Sequence, residues 1–118
     1  MTPFEIVTIA VKALDNKKAH DIQVFKIDQL SPLGDYLVIA TGNSSTQIRA
    51  LSDEVEYKLS QAGREPGHIE GRATNLYLLD YHSVMIHVFS KDARDFYNLD
   101  RLWADAEKVD ISELITED

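Results

Sequence analysis

The strongest pattern in the chain is a pair of apolar runs separated by a short polar turn. Residues 76–81 and 84–89 are rich in β-branched and aromatic residues, and His82 and Ser83 lie between them. This arrangement predicts a β-hairpin. Both faces of the hairpin are apolar, so we expect both to be covered, because a half-solvated hairpin alternates apolar and polar residues. The covers are either helices of the same chain, or a helix on one side and another molecule on the other. One face should carry Tyr77, Leu79, Tyr81, Val84, Ile86 and Val88.

Helical patterns lie at both ends of the chain. Residues 2–5 form a capping box with proline at the first helical position, and apolar residues follow at helical spacing. These signals predict a helix from about Pro3 to Asn16. After the hairpin, Ser90 is a suitable N-cap and Asp92 would stand in the first turn, where the helix dipole favours negative charge. We therefore expect a last helix that follows Ser90 and continues to Trp103.

Two further strands are predicted between the first helix and the hairpin. Residues 22–28 are apolar at positions 22, 24, 25 and 27, and this break in alternation suggests a bulge at Val24 and Phe25. Residues 35–41 are nearly all apolar, as in a central strand that is buried on both faces.

The remaining elements complete an α/β pattern. A small-residue turn from Gly42 opens a second helix that ends before Gly63, and residues 67–70 form either a short edge strand or a loop. The order predicts a single α/β domain with a mixed four- to five-stranded sheet flanked by helices. We place this domain at residues 1–109 and an acidic C-terminal tail at residues 110–118, with few apolar residues to hold the tail.

The net charge of the chain limits the kinds of molecule that it is expected to bind. The 118 residues carry 12 basic and 20 acidic side chains, a net charge of −8. Nucleic-acid affinity depends largely on lysine and arginine, and no basic run is present, so we expect no direct sequence-specific nucleic-acid binding. A basic protein surface is a more natural partner, although acidity can also serve solubility alone. The excess is heaviest near the end, at Asp105, Glu107, Asp110, Glu113, Glu117 and Asp118.

The composition also bears on compartment and chemistry. Cysteine is absent, which excludes disulfides and thiolate chemistry. We find no signal peptide and no apolar run long enough to span a bilayer, and expect a soluble cytoplasmic protein without membrane contact.

Candidate catalytic features are weak. The turn at residues 42–45 could cradle a phosphate, but no Walker motif follows, and helix capping by Asn43 or Ser44 explains it as well. Asp80 lacks the second carboxylate that a metal-dependent nucleotidyl transfer requires. The four histidines show no metal-ligand spacing, and His87 is expected to have a hydrogen-bonded structural role. We therefore expect no catalytic residue, no metal and no cofactor.

Aromatic residues give the better functional signal. Six of them fall in the hairpin and last helix, and Tyr and Trp dominate the energetic centres of protein interfaces. Most of these rings should lie in the hydrophobic core. Tyr77 and Tyr97, however, carry hydroxyl groups that need a hydrogen-bond partner or contact with solvent. They are therefore candidates for a surface that meets a partner.

The sequence resembles the ribosomal silencing factor family, also called Iojap-related. The resemblance runs from about residue 3 to residue 109 and depends on the order and spacing of many short matches. They are Asp35-Tyr36, Val38-Ile39-Ala40-Thr41-Gly42, Ser44, Gln47, Glu70-Gly71, Leu79-Asp80-Tyr81, His87-Val88-Phe89, Arg94, Phe96-Tyr97, Leu99 and Leu102-Trp103.

The resemblance implies a fold similar to nucleotidyltransferases without their catalysis, often as a homodimer. It implies binding to the large ribosomal subunit through its ribosomal protein fourteen, which blocks joining of the small subunit and represses translation when nutrients are limited. No cofactor is implied. The implied partner-binding residues are Tyr77, Leu79, Arg94, Tyr97 and Leu99.

Two departures from the family pattern concern the hairpin. Tyr77 stands where the family usually has Trp, and His82-Ser83 stands where it usually has Gly-Asp. If Tyr77 and Leu79 share a face, and Arg94 and Tyr97 share one side of the last helix, these residues form a contact surface. Tyr77→Ala should then lose ribosome binding while the fold survives. The alternatives are a nucleotide-binding transferase that uses residues 42–45 and Asp80, and a large-subunit assembly factor.

Overall fold

The computed structural model describes residues 1–32, 34–71 and 76–115. Within them the chain forms four helices, α1 (Pro3–Asn16), α2 (Ser45–Gln61), α3 (Lys91–Tyr97) and α4 (Leu99–Leu102). The same residues form six strands, β1 (His20–Lys26), β2 (Tyr36–Gly42), β3 (His68–Glu70), β4 (Leu76–Asp80), β5 (Val84–Ser90) and β6 (Glu107–Lys108). No helix in this part of the chain is long and apolar enough to cross a membrane.

Helix α1 begins and ends where the sequence predicts. The Thr2 hydroxyl accepts a hydrogen bond from the Glu5 backbone N–H at 3.2 Å, and the Glu5 carboxylate accepts one from the Thr2 N–H at 2.9 Å. These bonds satisfy two of the N–H groups that a helix start leaves free. The bonds from Thr2 also lower the pKa of Glu5. The predicted capping box and the helix Pro3–Asn16 are confirmed.

The strands form one mixed sheet in the order β3-β4-β5-β2-β1-β6. Strand β2 pairs in parallel with β5, and the other neighbours pair antiparallel. The hairpin β4–β5 and the edge strand β3 are confirmed. The predicted strand count of four to five was too low, because residues 107–108 add a two-residue strand after the last helix. So short a strand carries no alternation that a sequence pattern could detect.

Helices of the chain lie on both faces of the sheet, but on the second face of the hairpin Leu76, Met85 and His87 are only partly buried. Helices α1 and α2 pack on one face, where the hairpin contributes the six predicted residues, including Tyr77 and Tyr81. The other face holds a second cluster of Phe25, Ile27, Leu37, Ile39 and Phe89, against which Ala93, Trp103 and Ala106 pack. Helix α3 and the segment after α4 therefore lie on the side opposite α1 and α2.

Strand β1 contains a bulge, but not at the predicted position. Val24 and Phe25 pair regularly with β2 and point to opposite clusters, so their adjacent apolar side chains reflect two covered faces. The register instead shifts between His20 and Gln23. Asp21 lies within this shift and has φ 52°, in the left-handed region that aspartate tolerates better than most residues.

The last helix is interrupted rather than continuous to Trp103. Asn98 adopts the left-handed conformation (φ 50°, ψ 48°) and ends α3, and its N–H donates to the Arg94 carbonyl oxygen at 2.8 Å. Asparagine is second to glycine at such helix ends. The short helix α4 starts again at Leu99. The chain direction therefore changes at Asn98, which the sequence pattern did not predict.

The segment after β6 is attached to the rest of the domain. The Val109 N–H donates to the Val24 carbonyl oxygen at 2.8 Å, and Ile111 is 9% exposed in the helix-covered core. Leu114 and Ile115 pack against the same core. Residues 116–118 lie outside the described part of the chain. The division into 1–109 and 110–118 stays a prediction.

Glycine at position 71 supports the approach of β3 to β4. Its φ of +87° is in the left-handed region, and an added Cβ would overlap the backbone carbonyl oxygen of Leu76. Gly63 also has positive φ, +91°, but an added Cβ would meet open space.

We predict that Gly71→Ala lowers the free energy of unfolding by at least ~3 kcal/mol, and Gly63→Ala by about 1 kcal/mol. Urea denaturation of both variants checks this, and equal losses would contradict the close approach.

Candidate protein-binding surface

Helices α3 and α4 expose three large apolar side chains within seven positions of sequence. Phe96 is 82% exposed, Tyr97 53% and Leu102 66%. The Phe96 and Tyr97 rings contact each other edge to face, with centroids 5.1 Å apart and planes at 85°. We call Phe96, Tyr97 and Leu102 the α3–α4 patch. Apolar side chains grouped in this way on a folded surface mark interaction sites more often than isolated ones do.

The bend at Asn98 gives the α3–α4 patch its shape. A shallow groove of about 400 Å³ is lined by Tyr97, Asn98, Arg101 and Leu102. Because α3 ends at Asn98 and α4 starts immediately after it, side chains from both helices border the same groove. The patch thus offers a shallow, nearly flat depression beside two exposed rings.

The charged side chains near the patch are mixed, with a small acidic excess. In the described part of residues 91–108, the exposed acidic residues are Asp92, Asp95, Asp105 and Glu107. The exposed basic residues there are Lys91, Arg101 and Lys108. Together with the net charge of −8, this distribution favours a basic partner over an acidic one.

Of the residues that the resemblance implies, Tyr97 is in the patch. Leu99 starts α4, but its side chain lies outside the described part of the structure. Tyr77 and Leu79 point into the helix-covered core and are 4% and 0% exposed. Any effect of these two side chains on a partner would be indirect in this conformation, and their part in binding stays a prediction.

Arg94 is also buried, at 3% exposure. Its Nη1 donates to the Asp21 carbonyl oxygen at 2.7 Å and to the Thr41 hydroxyl at 2.8 Å. Arg94 and Tyr97 therefore differ in exposure although they lie three positions apart on α3, and the part of Arg94 in partner binding stays a prediction. The guanidinium turns inwards to the ends of β1 and β2, whereas the Tyr97 ring turns outwards.

Two patch residues, Phe96 and Leu102, were not among the predicted contacts. The sequence did contain a signal that Phe96 is exposed. Consecutive helical residues point about 100° apart, so one buried helix face cannot easily take in both the Phe96 and the Tyr97 side chain. Asp95 and Asn98 flank the aromatic pair with polar side chains. Most of the six rings are core, as expected, because Tyr77, Tyr81 and Phe89 are buried and Trp103 packs against the second cluster.

The turn at residues 42–45 is used for helix capping. The Ser44 hydroxyl accepts from the Gln47 N–H at 3.1 Å, and the Gln47 side-chain oxygen accepts from the Asn43 N–H at 2.6 Å. Asn43 Nδ2 also lies 2.8 Å from His20 Nε2. These bonds occupy N–H groups that a phosphate would need, and they confirm the prediction of a helix cap at Ser44.

Asp80 takes part in the hairpin turn. The Asp80 carboxylate accepts the His82 backbone N–H at 2.7 Å within the hairpin turn, where His82 has φ 67°. Among the described residues, no group of three or more His, Asp or Glu could hold a metal ion.

His87 lies on the second face of the sheet, beside the Phe89 ring at a centroid distance of 6.0 Å. Its buried Nδ1 has no hydrogen-bond partner among the described residues, so the expected hydrogen-bonded role is not found at this atom. Burial lowers the pKa of His87 because the charged imidazolium loses solvation.

We predict that His87 makes the fold less stable in acid. Its pKa in the folded chain is below the ordinary 6.5, so the unfolded chain binds more protons as pH falls through 6.5. The free energy of unfolding then decreases with falling pH, and the full contribution is present above 6.5. Urea midpoints between about pH 7.5 and about pH 5.5 should fall more steeply for the wild type than for His87→Leu. Parallel curves would show that His87 does not contribute.

The burial of Tyr77 changes the expected outcome of Tyr77→Ala. Removing a ring that is 4% exposed in the helix-covered core leaves a cavity. We predict a loss of about 3–5 kcal/mol in the free energy of unfolding. Weaker binding by this variant would then follow from a smaller folded fraction. Thermal melts of the wild type and of Tyr77→Ala test this prediction. An unchanged melting temperature would show that the Tyr77 ring is not part of the core.

Comparisons with known proteins agree with the resemblance that the sequence shows. The sequence model of a family described as "Ribosomal silencing factor during starvation" matches residues 2–118, including the segment after residue 109. The chain is 34% identical over 117 residues to the ribosomal silencing factor RsfS of Halalkalibacterium halodurans, covering 98% of this chain and 100% of that one. It is 36% identical over 112 residues to RsfS of Bacillus subtilis, covering 94% and 95%.

A solved structure shows the same architecture. The crystal structure of a Chromobacterium violaceum protein superposes with a TM-score of 0.85 at 33% identity and covers 88% of each chain. Similarity extends to the protein Iojap-related, mitochondrial, of Arabidopsis thaliana, which is 27% identical over 107 residues. With a matching family model over nearly its full length and relatives above 30% identity, the chain belongs to the ribosomal silencing factor family.

Proposed function

We propose that this chain is a translational repressor that binds the large ribosomal subunit through its ribosomal protein fourteen. The observation that carries the proposal is the α3–α4 patch, with Phe96 82% and Tyr97 53% exposed. Membership in a family named for ribosome silencing supports the ribosome as the target. The small acidic excess around the patch supports a basic protein as the point of contact.

The patch has the composition of an interface centre. An aromatic side chain can bury 150–250 Å² in an interface, and truncation of a central aromatic typically costs at least ~2 kcal/mol of binding free energy. Phe96 and Tyr97 already contact each other at 5.1 Å, so part of their conformational freedom is lost before binding. Preorganised rings of this kind bind with a smaller entropic cost than mobile ones.

The repression we propose is steric. The folded chain measures 34 × 33 × 32 Å along its principal axes. Two ribosomal subunits join by direct contact, and a body about 30 Å thick on the joining face would hold them apart. Such a block requires only that the protein binds and that it is large enough to keep the subunits apart. It requires no catalytic group. Two observations agree with binding rather than catalysis, namely the capped turn at residues 42–45 and the regulatory names of the relatives.

The proposal also covers the oligomeric state of the protein, its compartment and the conditions under which it acts. We infer a cytoplasmic protein that acts when nutrients are limited and associates as a homodimer, without membrane contact or sequence-specific nucleic-acid binding. Its support is the family resemblance and the acidic net charge. Light scattering after size exclusion tests the dimer. A mass of 13.4 kDa at all concentrations would contradict it.

We predict that Phe96→Ala and Tyr97→Ala each weaken binding to purified large subunits by about thirtyfold, equivalent to ~2 kcal/mol. Both side chains are exposed, so the melting temperature should change little. Tyr57→Ala is the matched control, because Tyr57 is 56% exposed on α2, away from the patch. Co-sedimentation with large subunits measures the affinity. Wild-type binding by both patch variants would contradict the proposed surface.

Adding small subunits to the same assay separates the alternatives. Fewer joined ribosomes in the presence of the wild-type chain, but not of Tyr97→Ala, supports the repressor. Binding without an effect on joining supports an assembly factor instead. Calorimetric titration with a nucleoside triphosphate and magnesium tests the transferase alternative, for which heat of binding would be required.

A further inference from the structure

We propose that Arg94 is a positioning residue that orients the α3–α4 patch by attaching α3 to the bulge of β1. The inference rests on the proposed function in naming the patch as the binding surface. It changes the role of Arg94 from a residue that touches the partner to one that holds the residues that do. Four features of the structure support it.

The first feature is the weak apolar attachment of α3. All seven residues of α3 lie in the described part of the chain, and Arg94 alone among them is buried. Ala93 is partly buried and packs against the second cluster. A helix of this length has little stability of its own and depends on tertiary contacts. The contacts of α3 with the sheet are therefore mainly those of the Arg94 side chain.

The second feature is the reach of the guanidinium. Arg94 follows β5 by four residues, yet its Nη1 bonds to Thr41 at the end of β2 and to the Asp21 carbonyl oxygen in β1. The side chain thus joins α3 to β2, the neighbour of β5, and to β1, which lies beyond β2. Hydrogen bonds from a buried charged donor are shorter and stronger than neutral ones. Both bonds, at 2.7 and 2.8 Å, are in this short range.

The third feature explains why the Asp21 carbonyl oxygen can accept. His20 pairs with Thr41 and Gln23 pairs with Ile39, so β1 has one residue more than β2 over this interval. The extra residue of a bulge is left out of the ladder of backbone hydrogen bonds. Asp21 lies in this interval with φ 52°. The Asp21 carbonyl oxygen accepts a hydrogen bond from Arg94 Nη1. The Asp21 carboxylate lies 3.6 Å from the same nitrogen, and the Asp21 side chain is 63% exposed.

The fourth feature is the closeness of Arg94 to the patch. Phe96 and Tyr97 follow it by two and three residues, and the Arg94 carbonyl oxygen accepts the Asn98 N–H that ends the helix. A rotation of α3 about its axis would therefore move both rings and the bend that shapes the groove. The Arg94 hydrogen bonds fix this rotation, because Ala93 is too small to do so.

The decisive variant is Arg94→Gln, which removes the charge and the forked donors. We expect faster amide hydrogen exchange in residues 91–98 with unchanged exchange in α1, and about tenfold weaker binding to large subunits. Thr41→Val removes one acceptor at similar volume and should show a smaller change of both kinds. Arg94→Lys keeps the charge and should fall between Arg94→Gln and the wild type.

One matched control separates positioning from other effects. Arg49→Gln removes an exposed arginine of α2 and should change neither exchange nor binding. Asp21→Gly keeps the carbonyl acceptor and suits positive φ but removes the carboxylate 3.6 Å from Arg94 Nη1, so it should weaken binding less than Arg94→Gln does. In a Leu102→Ala background, Arg94→Gln should cost less than in the wild type, because both changes act through one surface.

The outcomes are distinguishable. Weaker binding with unchanged exchange in α3 would overturn the inference and indicate direct contact by Arg94. Faster exchange in α3 with normal binding would overturn it as well, because the orientation of α3 would then not matter. If the wild type itself fails to bind large subunits, the proposed function falls. The exchange measurements would still decide whether Arg94 attaches α3.

Discussion

The parallel pairing of β2 with β5 is the constraint on which the rest of the structure depends. These two strands lie at the centre of the sheet and run in register from Tyr36 beside Val84 to Gly42 beside Ser90. A parallel pair cannot be joined by a tight turn, so α2, β3 and β4 must all lie in the connection between them. Both faces of a parallel pair require cover, which accounts for the nearly continuous apolar sequence of each strand.

The same pairing places the two following helices at one edge of the sheet. Strands β2 and β5 end level with each other, and the chain then turns to opposite faces. Helix α2 joins α1 on one face, and α3 goes to the other. The α1–α2 side forms the large core of the domain. The α3–α4 side is thinner, and there the apolar side chains that are not used in packing remain exposed at Phe96, Tyr97 and Leu102.

The two sides of the sheet are held by different physical means. Helices α1 and α2 bury continuous apolar stripes, and their stability follows from area removed from water. Helix α3 has a single buried residue, and that residue is charged. A polar attachment of this kind specifies orientation, since hydrogen bonds depend on direction and apolar contact does not. The Phe96 and Tyr97 rings on the same helix stay exposed.

The sequence alone determined the elements whose signals are local. The capping box predicted the start of α1, Ser90 predicted the start of α3, and the apolar runs predicted the hairpin. Each of these signals acts over two to four positions, within one helical turn or one strand. The family could also be inferred from the order of short matches, because order and spacing are properties of the sequence.

Tertiary structure decided which side chains face outwards. Arg94 and Asp21 are 73 positions apart, and nothing in the sequence around either residue indicates their hydrogen bond. The bulge lies between His20 and Gln23, whereas Val24 and Phe25 are adjacent apolar residues because both of them are covered, on opposite faces, by other elements. Tyr77 is buried and Phe96 exposed for a similar reason, since α1 and α2 cover one side fully and α3 covers little of the other. Exposure is the result of how all elements pack together, so the sequence identified the aromatic residues and only the fold selected those that can meet a partner.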